Sequence, residues 1–238
     1  MRDLLVITPS RGRPQRLADM LHACLTLSES DICVAVCVDP DDECLDAYLA
    51  VLSDYHGDQR VRCLLGPHRM NLTQWTNRVA ADCAGDYRVL ASLGDDHVPR
   101  TPGWDGALLG ALEGIGGTGI AYGDDLHQRG RLPTAPAIST DIVQALGWMC
   151  EPSLAHMYVD DVWRDLGSGA DCLVFVPEVV IEHVHPDAGK ADSDGTYAGS
   201  LSGVDADRQE YVRWLREHAA VDVAKISALR SRVREGAT

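Results

Sequence analysis

The sequence predicts an α/β fold, a Rossmann-like and mostly parallel sheet flanked by helices, with a C-terminal helical extension. Three observations carry this expectation. Short apolar runs alternate with stretches of helical spacing through the first part of the chain, as in repeated βα units. A strand-like run from Tyr87 to Leu93 stops on Asp95, Asp96 and His97, which puts charged groups where open α/β sheets bind ligands. A long amphipathic pattern from Asp205 to Arg234 closes the chain. At 238 residues the chain is long enough to bury a core without disulfide or metal staples, and one main domain is expected.

Taken in order, Leu4 to Ile7 is a continuous apolar run, as expected of a strand buried on both faces. The loop from Thr8 to Arg13 follows, and Pro14 opens a helix whose apolar stripe is Leu17, Met20, Leu21, Cys24 and Leu25. Ile32 to Val38 is a second buried strand ending at Asp39, with a helix marked by Leu45, Tyr48, Leu49, Leu52 and Tyr55 behind it. Val61 to Leu65 is a third strand. Asn71 and Gln74 have the spacing of a capping box, and Leu72, Trp75, Val79 and Cys83 continue that helix into the strand before the acidic triplet. Beyond the triplet the pattern loosens. A helix is expected over Trp104 to Leu112, a strand over Thr118 to Tyr122, a polar loop over Gly123 to Thr140, apolar spacing over Ile142 to Met149, and a strand over Cys172 to Ile181. Ala188 to Gly203, rich in Gly, Asp and Ser, reads as a flexible loop or lid. Tyr211, Trp214, Leu215, Ile226, Leu229 and Val233 give the final helical pattern a face to pack on the domain or on a second copy in a homodimer.

The formal charge of −15 disfavours a large phosphate-gripping surface. The eight cysteines have no metal-site spacing and read as small buried hydrophobes in a reducing compartment. No leader and no membrane-length apolar run is evident, so a soluble cytoplasmic protein is expected.

Asp95, Asp96 and His97 form either a solvated turn or part of a divalent cation site; mixed oxygen and imidazole ligands suit Mn²⁺ or Zn²⁺ better than Ca²⁺. His183 and His185 follow the last strand, two residues apart and therefore on one face if the strand persists. Arg11 and Arg13 either reach a phosphate as charge-assisted donors or lie on the surface. Asp160 and Asp161 are a second acidic pair. Adjacent carboxylates at a helix start diverge, so one can point into a pocket while the other caps the helix.

The order and spacing of several fragments resemble the nucleotide-sugar glycosyltransferases of the GT-A fold, especially small inverting ones of bacterial and phage type. These are Val6-Ile7-Thr8-Pro9-Ser10-Arg11, Asn77, Ala84-Gly85-Asp86-Tyr87, Asp95-Asp96-His97-Val98-Pro99 and Trp104, and the resemblance runs from Leu4 to about Tyr197. It implies a mixed, mostly parallel sheet, a glycosyltransferase domain over residues 1–203 and a helical extension over 204–238. It also implies a divalent cofactor, Mn²⁺ or Mg²⁺, and a nucleotide diphosphate sugar donor held by Thr8, Ser10, Arg11, Asp39, Asn77, Asp95 and Asp96, with Asp39 on the base. The metal set would be Asp95, Asp96, His97 and either His183 or His185, with His185 preferred because Pro186 marks the turn into the crevice. His97 replaces the usual final Asp of the family's Asp-X-Asp motif, which leaves the metal's identity open. Asp124, Asp125, Trp148 and Asp160 would line the substrate pocket, and Asp161 would be the base of an inverting displacement. The acceptor would be a hydroxyl on a glycan, a small molecule or a modified DNA base. A metal-dependent phosphoester hydrolase and a non-catalytic nucleotide-sugar binding module are the alternatives.

Overall fold

The computed structural model describes residues 1–185 and 203–236. The expected lid from Ala188 to Gly203, apart from Gly203 itself, lies outside the described residues, as does Pro186. The first half is built as expected. Strand β1 (Arg2–Pro9), helix α1 (Pro14–Leu27), β2 (Ile32–Val38), α2 (Leu45–Ser53), β3 (Val61–Leu65), α3 (Leu72–Cys83) and β4 (Tyr87–Ser92) alternate, and β1 pairs in parallel with both β2 and β4. Every residue of β2 is buried, which explains its unbroken apolar composition. Helix α3 starts with the predicted capping box, Asn71 accepting from Gln74 N–H and Gln74 accepting from Asn71 N–H.

The sheet is then completed by short pieces. Strand β5 (His97–Pro99), α4 (Trp104–Gly114), β6 (Ile120–Asp124), β7 (Ala137–Ser139), α5 (Thr140–Leu146), α6 (Val159–Gly169) and β8 (Leu173–His183) give the strand order β3-β2-β1-β4-β7-β6-β8-β5. The sheet is mixed: β7 runs antiparallel to β4 and β6, and β5 antiparallel to β8. The stretch from Gly123 to Thr140, expected as one polar loop, therefore contains the central strand β7. Strand β8 changes partner along its length, pairing with β6 through Leu173–Val176 and again at Val180, and with β5 through Ile181–His183. Between them the register shifts opposite Gly123 and Asp124, next to Pro177, which can donate no ladder bond. Gly123 is required there, because a Cβ would lie 2.4 Å from the Val179 carbonyl oxygen.

Two apolar clusters cover the faces of the sheet. One gathers Leu4, Val6, Leu17, Trp104 and Ile181, and the other Leu5, Ile7, Trp75, Trp163, Trp214 and Ile226. The C-terminal segment is not one long helix but two, α7 (Val204–Glu217) and α8 (Ala219–Gly236), broken at His218. Asp222 bridges the break by accepting from Trp214 Nε1 at 3.1 Å. Of the residues expected to give this segment a packing face, Trp214 and Ile226 are buried in the core and Tyr211 packs against it, while Leu215 is exposed. The cysteines are mostly buried as expected, but Cys63 on the edge strand β3 is exposed. Among the described residues no helix is long and apolar enough to cross a membrane.

Candidate functional site

The antiparallel pair β5·β8 builds the site. Its register sets His97 opposite His183, and the two imidazoles stack with ring centroids 4.1 Å apart. Val184 N–H donates to the Asp96 carbonyl at 2.8 Å, which closes the turn over the pair. Gly94 makes that turn possible: a Cβ on it would meet Asp96 Oδ1 at 2.7 Å and His97 Nδ1 at 3.0 Å. Asp96, His97 and His183 each bring one ligand atom within 4.8 Å of the others. Ligands bound at about 2.1 Å stand about 3 to 4 Å apart, so a small contraction would seat an ion. The residues fit such an ion in a second way, since His97 Nε2 and His183 Nδ1 are buried without a hydrogen-bond partner among the described residues.

The neighbouring charges are arranged around the same point. Burial works to raise the Asp96 pKa, but the His183 and His97 imidazoles outweigh it and hold the carboxylate well below the usual range. Asp95 moves the other way, to about 7, through burial and the adjacent Asp96 charge. Its Oδ2 accepts from the Ser10 hydroxyl at 2.5 Å, and Arg13 reaches Oδ1 at 3.4 Å and Asp96 Oδ2 at 3.3 Å. Asp95 thus sits behind the cluster and Asp96 within it. Tyr48 continues the chain of bonds, joining Ser10 Oγ at 2.7 Å and accepting from Arg13 N–H at 2.8 Å.

The other expected residues fall into distinct places. His185, the preferred terminal ligand, lies beyond the end of β8 and outside the three-residue cluster; its ring stacks on His127 at 5.3 Å and meets the His183 ring edge-on at 4.7 Å. Thr8 is fully buried at the end of β1, and its hydroxyl has no partner among the described residues. Asp39 is 2% exposed and already accepts from Met70 N–H, Trp75 Nε1 and Arg11, so it braces the Met70–Trp75 segment and Arg11 rather than standing open to a base. Arg11 also binds Asp41 and is turned toward those carboxylates. Asn77 accepts from Met149 and Cys150 N–H and donates to the Cys150 carbonyl, which commits its amide to backbone and removes it from the donor contacts. Asp125 is likewise structural: it accepts from the N–H groups of His127, Gln128 and Arg129 and from the Thr134 hydroxyl. Asp124 accepts from Leu126 N–H, and Trp148 packs half-buried against the core.

Asp160 and Asp161 lie in the first turn of α6, but neither caps it; the cap position is Tyr158, in the left-handed region at φ 66°. Asp161 Oδ1 accepts from Arg164 at 2.7 Å, and Arg164 is braced by Asp165 and the Tyr211 hydroxyl. The Asp160 carboxyl is pushed up to about 6 by burial and by the Asp161 charge.

Sequence reasoning missed Gly94 and Tyr48. Only the glycine beside the acidic triplet left a readable signal.

Three-dimensional comparison identifies the architecture. Mannosyltransferase PcManGT from Pyrobaculum calidifontis, solved with GDP-Man and Mn²⁺, matches 96% of this chain and 75% of its own at a TM-score of 0.55 and 10% identity. Glucosyl-3-phosphoglycerate synthase from Mycobacterium tuberculosis, solved with Mn²⁺, UDP and phosphoglyceric acid, matches 92% and 78% at 0.58 and 13%. The chain has the GT-A fold. S. aureus TarS is also similar, at 0.59 and 9% identity, and the match spans 76% of this chain but only 36% of TarS. No protein-family model matches the sequence, and no curated protein does. These identities fix the architecture alone.

Proposed function

We propose that this protein is a metal-dependent glycosyltransferase that moves a sugar from a nucleotide diphosphate sugar to a hydroxyl acceptor with inversion. The observation that carries the reading is the Asp96–His97–His183 cluster on the β5·β8 pair of a GT-A fold, with two buried imidazole nitrogens that lack a hydrogen bond among the described residues. A bound Mn²⁺ or Mg²⁺ there would supply Lewis-acid stabilisation of the leaving diphosphate. Of the two arginines expected to face phosphate, Arg13, 10% exposed and set against both carboxylates, takes that role, while Arg11 is turned to Asp39 and Asp41. Complexes of the GT-A neighbours with GDP-Man and Mn²⁺, or with UDP and Mn²⁺, support a divalent ion and a nucleotide-sugar donor in the reading.

Asp161 is the proposed base. A displacement at the anomeric carbon needs a carboxylate to take the acceptor proton as the bond forms. Arg164 pins Asp161 Oδ1 and fixes the direction of Oδ2, so the fold supplies a set orientation for the base. Thr8, Ser10 and Asp95 line the donor side, and Asp160, Trp148 and Asp124 the acceptor side. The acceptor's chemical class, whether glycan, small molecule or modified DNA base, is set by loops whose sequence does not translate into a ligand.

The test is to incubate the protein with Mn²⁺ and a panel of UDP- and GDP-sugars and to follow nucleoside diphosphate release. Release from one donor class, abolished in His97→Ala, is expected. No release from any donor would favour a binding module, and release of inorganic phosphate from simple phosphoesters would favour a hydrolase.

A further inference from the structure

We propose that Tyr211, on helix α7 of the C-terminal extension, is a positioning residue for the base: through Asp165 and Arg164 its hydroxyl sets the direction of the Asp161 carboxylate. The proposal rests on the reading of Asp161 as the base of a glycosyl transfer, and on the contact between α6 and α7 for how that base is held.

Asp161, Arg164 and Asp165 share one side of α6, because residues three and four apart on a helix are neighbours. Arg164 serves both carboxylates: Nη1 donates to Asp161 Oδ1 at 2.7 Å, while Nε and Nη2 donate to Asp165 Oδ1 at 2.9 and 2.8 Å. A guanidinium is a rigid planar fork, so holding its Nε–Nη2 edge fixes where Nη1 points. The bond to Nη1 occupies Asp161 Oδ1, and the direction of Oδ2, the oxygen left for an acceptor proton, follows from it. Ion pairs as open to water as these leave their side chains free to move unless a further group gives them one geometry. That group comes from another helix. The Tyr211 hydroxyl donates to Asp165 Oδ2 at 2.6 Å and accepts from Arg164 Nη2 at 3.2 Å, so one oxygen ties both members of the pair. Burial and the bond to Asp165 push its ionisation upward, and it stays a donor.

Tyr211 is itself fixed against the start of α6. Its ring stacks on that of Tyr158, the cap residue, with centroids 5.2 Å apart and 16° between the planes. One turn earlier on the same face of α7, Asp207, 4% exposed, accepts from the backbone N–H groups of Ala155 at 2.9 Å, His156 at 2.9 Å and Met157 at 2.7 Å. Helix α8 closes on the other end: a Cβ on Gly169, the last residue of α6, would meet Val223 Cγ2 at 2.8 Å. The extension therefore grips α6 before its first turn, along its length and at its end. Trp214 and Ile226 account for the apolar packing of the extension, but that packing does not call for a hydroxyl aimed at an Arg–Asp pair beside the base.

The test is a double-mutant cycle on the full chain, read as nucleoside diphosphate release with Mn²⁺, the UDP- or GDP-sugar that the parent turns over, and water as the acceptor. Tyr211→Phe keeps the stack on Tyr158 and removes the hydroxyl, so kcat should fall about tenfold or more while the donor KM stays within about twofold. Placed in Asp161→Asn, the same substitution should cost nothing further, because Tyr211 acts only through Asp161. Asp165→Asn disturbs the fork from within α6; it should also lower kcat and add nothing to Asp161→Asn. A merely structural role would slow both backgrounds alike. With Asp161→Asn slow, a parental kcat in Tyr211→Phe, or a loss that multiplies with that of Asp161→Asn, overturns the proposal and leaves the base in place. Should Tyr211→Phe fail to fold, Asp165→Asn decides between the same two outcomes. Parental turnover in Asp161→Asn, or no release from any donor, refutes the base reading itself, and the role given to Tyr211 falls with it.

Discussion

Replacing Asp160 by Asn should stabilise the protein, and by an amount that depends on pH in a defined direction. The Asp160 carboxyl rises from its ordinary 3.8 to about 6 on folding, because it is buried and stands beside Asp161. A rise of this size corresponds to about 3 kcal/mol lost when the group is ionised in both states, and the partial exposure of the side chain trims this to about 1 to 2 kcal/mol. The sign follows from the order of proton release. Below about pH 4 the carboxyl is protonated in both folded and unfolded chains and costs nothing. As the pH rises toward about 6 the unfolded chain loses its proton first, so the parent loses stability, and above about pH 7 the penalty is complete. Asparagine never ionises and can still accept from Asp161 N–H, a hydrogen bond the carboxylate makes at 3.1 Å. Because Tyr158 rather than Asp160 occupies the cap position, no capping bond is lost. Urea denaturation of parent and variant across the range from about pH 4 to 8 should give a difference near zero at the acid end and a plateau in favour of the variant above neutrality. A variant less stable than the parent, or a gap that does not change with pH, would refute the reasoning.

Two further outcomes are expected. Asp161→Asn keeps the shape of the proposed base and removes its basicity, so turnover should fall about a hundredfold or more while donor affinity is retained; near-parental turnover, or retention of anomeric configuration in the product, would contradict the assignment, and a loss confined to Asp160→Asn would move the role to that residue. Trp214→Ala removes a 1% exposed indole from the core and strips Asp222 of a donor, which should cost about 3 to 5 kcal/mol in urea unfolding; a loss below about 1 kcal/mol would show that the extension adds little to the fold.

The first half of the fold was legible because its signals are local. The apolar runs of β1 and β2, the Pro14 start of α1 and the Asn71–Gln74 capping box each act within a few residues, and all appear as read. What could not be read is set by pairing across distance. Strand β7 is three residues long and follows Pro136, too short to show a period of two. The choice between His183 and His185 turns on the register of β5 against β8, and β5 is itself only three residues long. Asp39 and Asn77 were visible as polar residues in the right order, but whether each faces a ligand or a neighbouring backbone depends on Trp75, Met149 and Cys150 arriving there. The break at His218 carries no Gly or Pro; it is stabilised by Trp214 and Asp222, eight residues apart across the turn. Asp207 and His156 are joined over an interval of 51 residues and share no motif.

Calorimetry of Mn²⁺ and nucleoside diphosphate binding, alone and together, tests the central claim most directly. If Asp96, His97 and His183 hold an ion that in turn holds the diphosphate, UDP or GDP should bind far more tightly with Mn²⁺ than without it. That synergy should vanish in His97→Ala and in His183→Ala while largely surviving in His185→Ala, since His185 lies outside the cluster. Nucleotide binding that is indifferent to Mn²⁺, or synergy that survives His183→Ala and is lost in His185→Ala, would contradict the account.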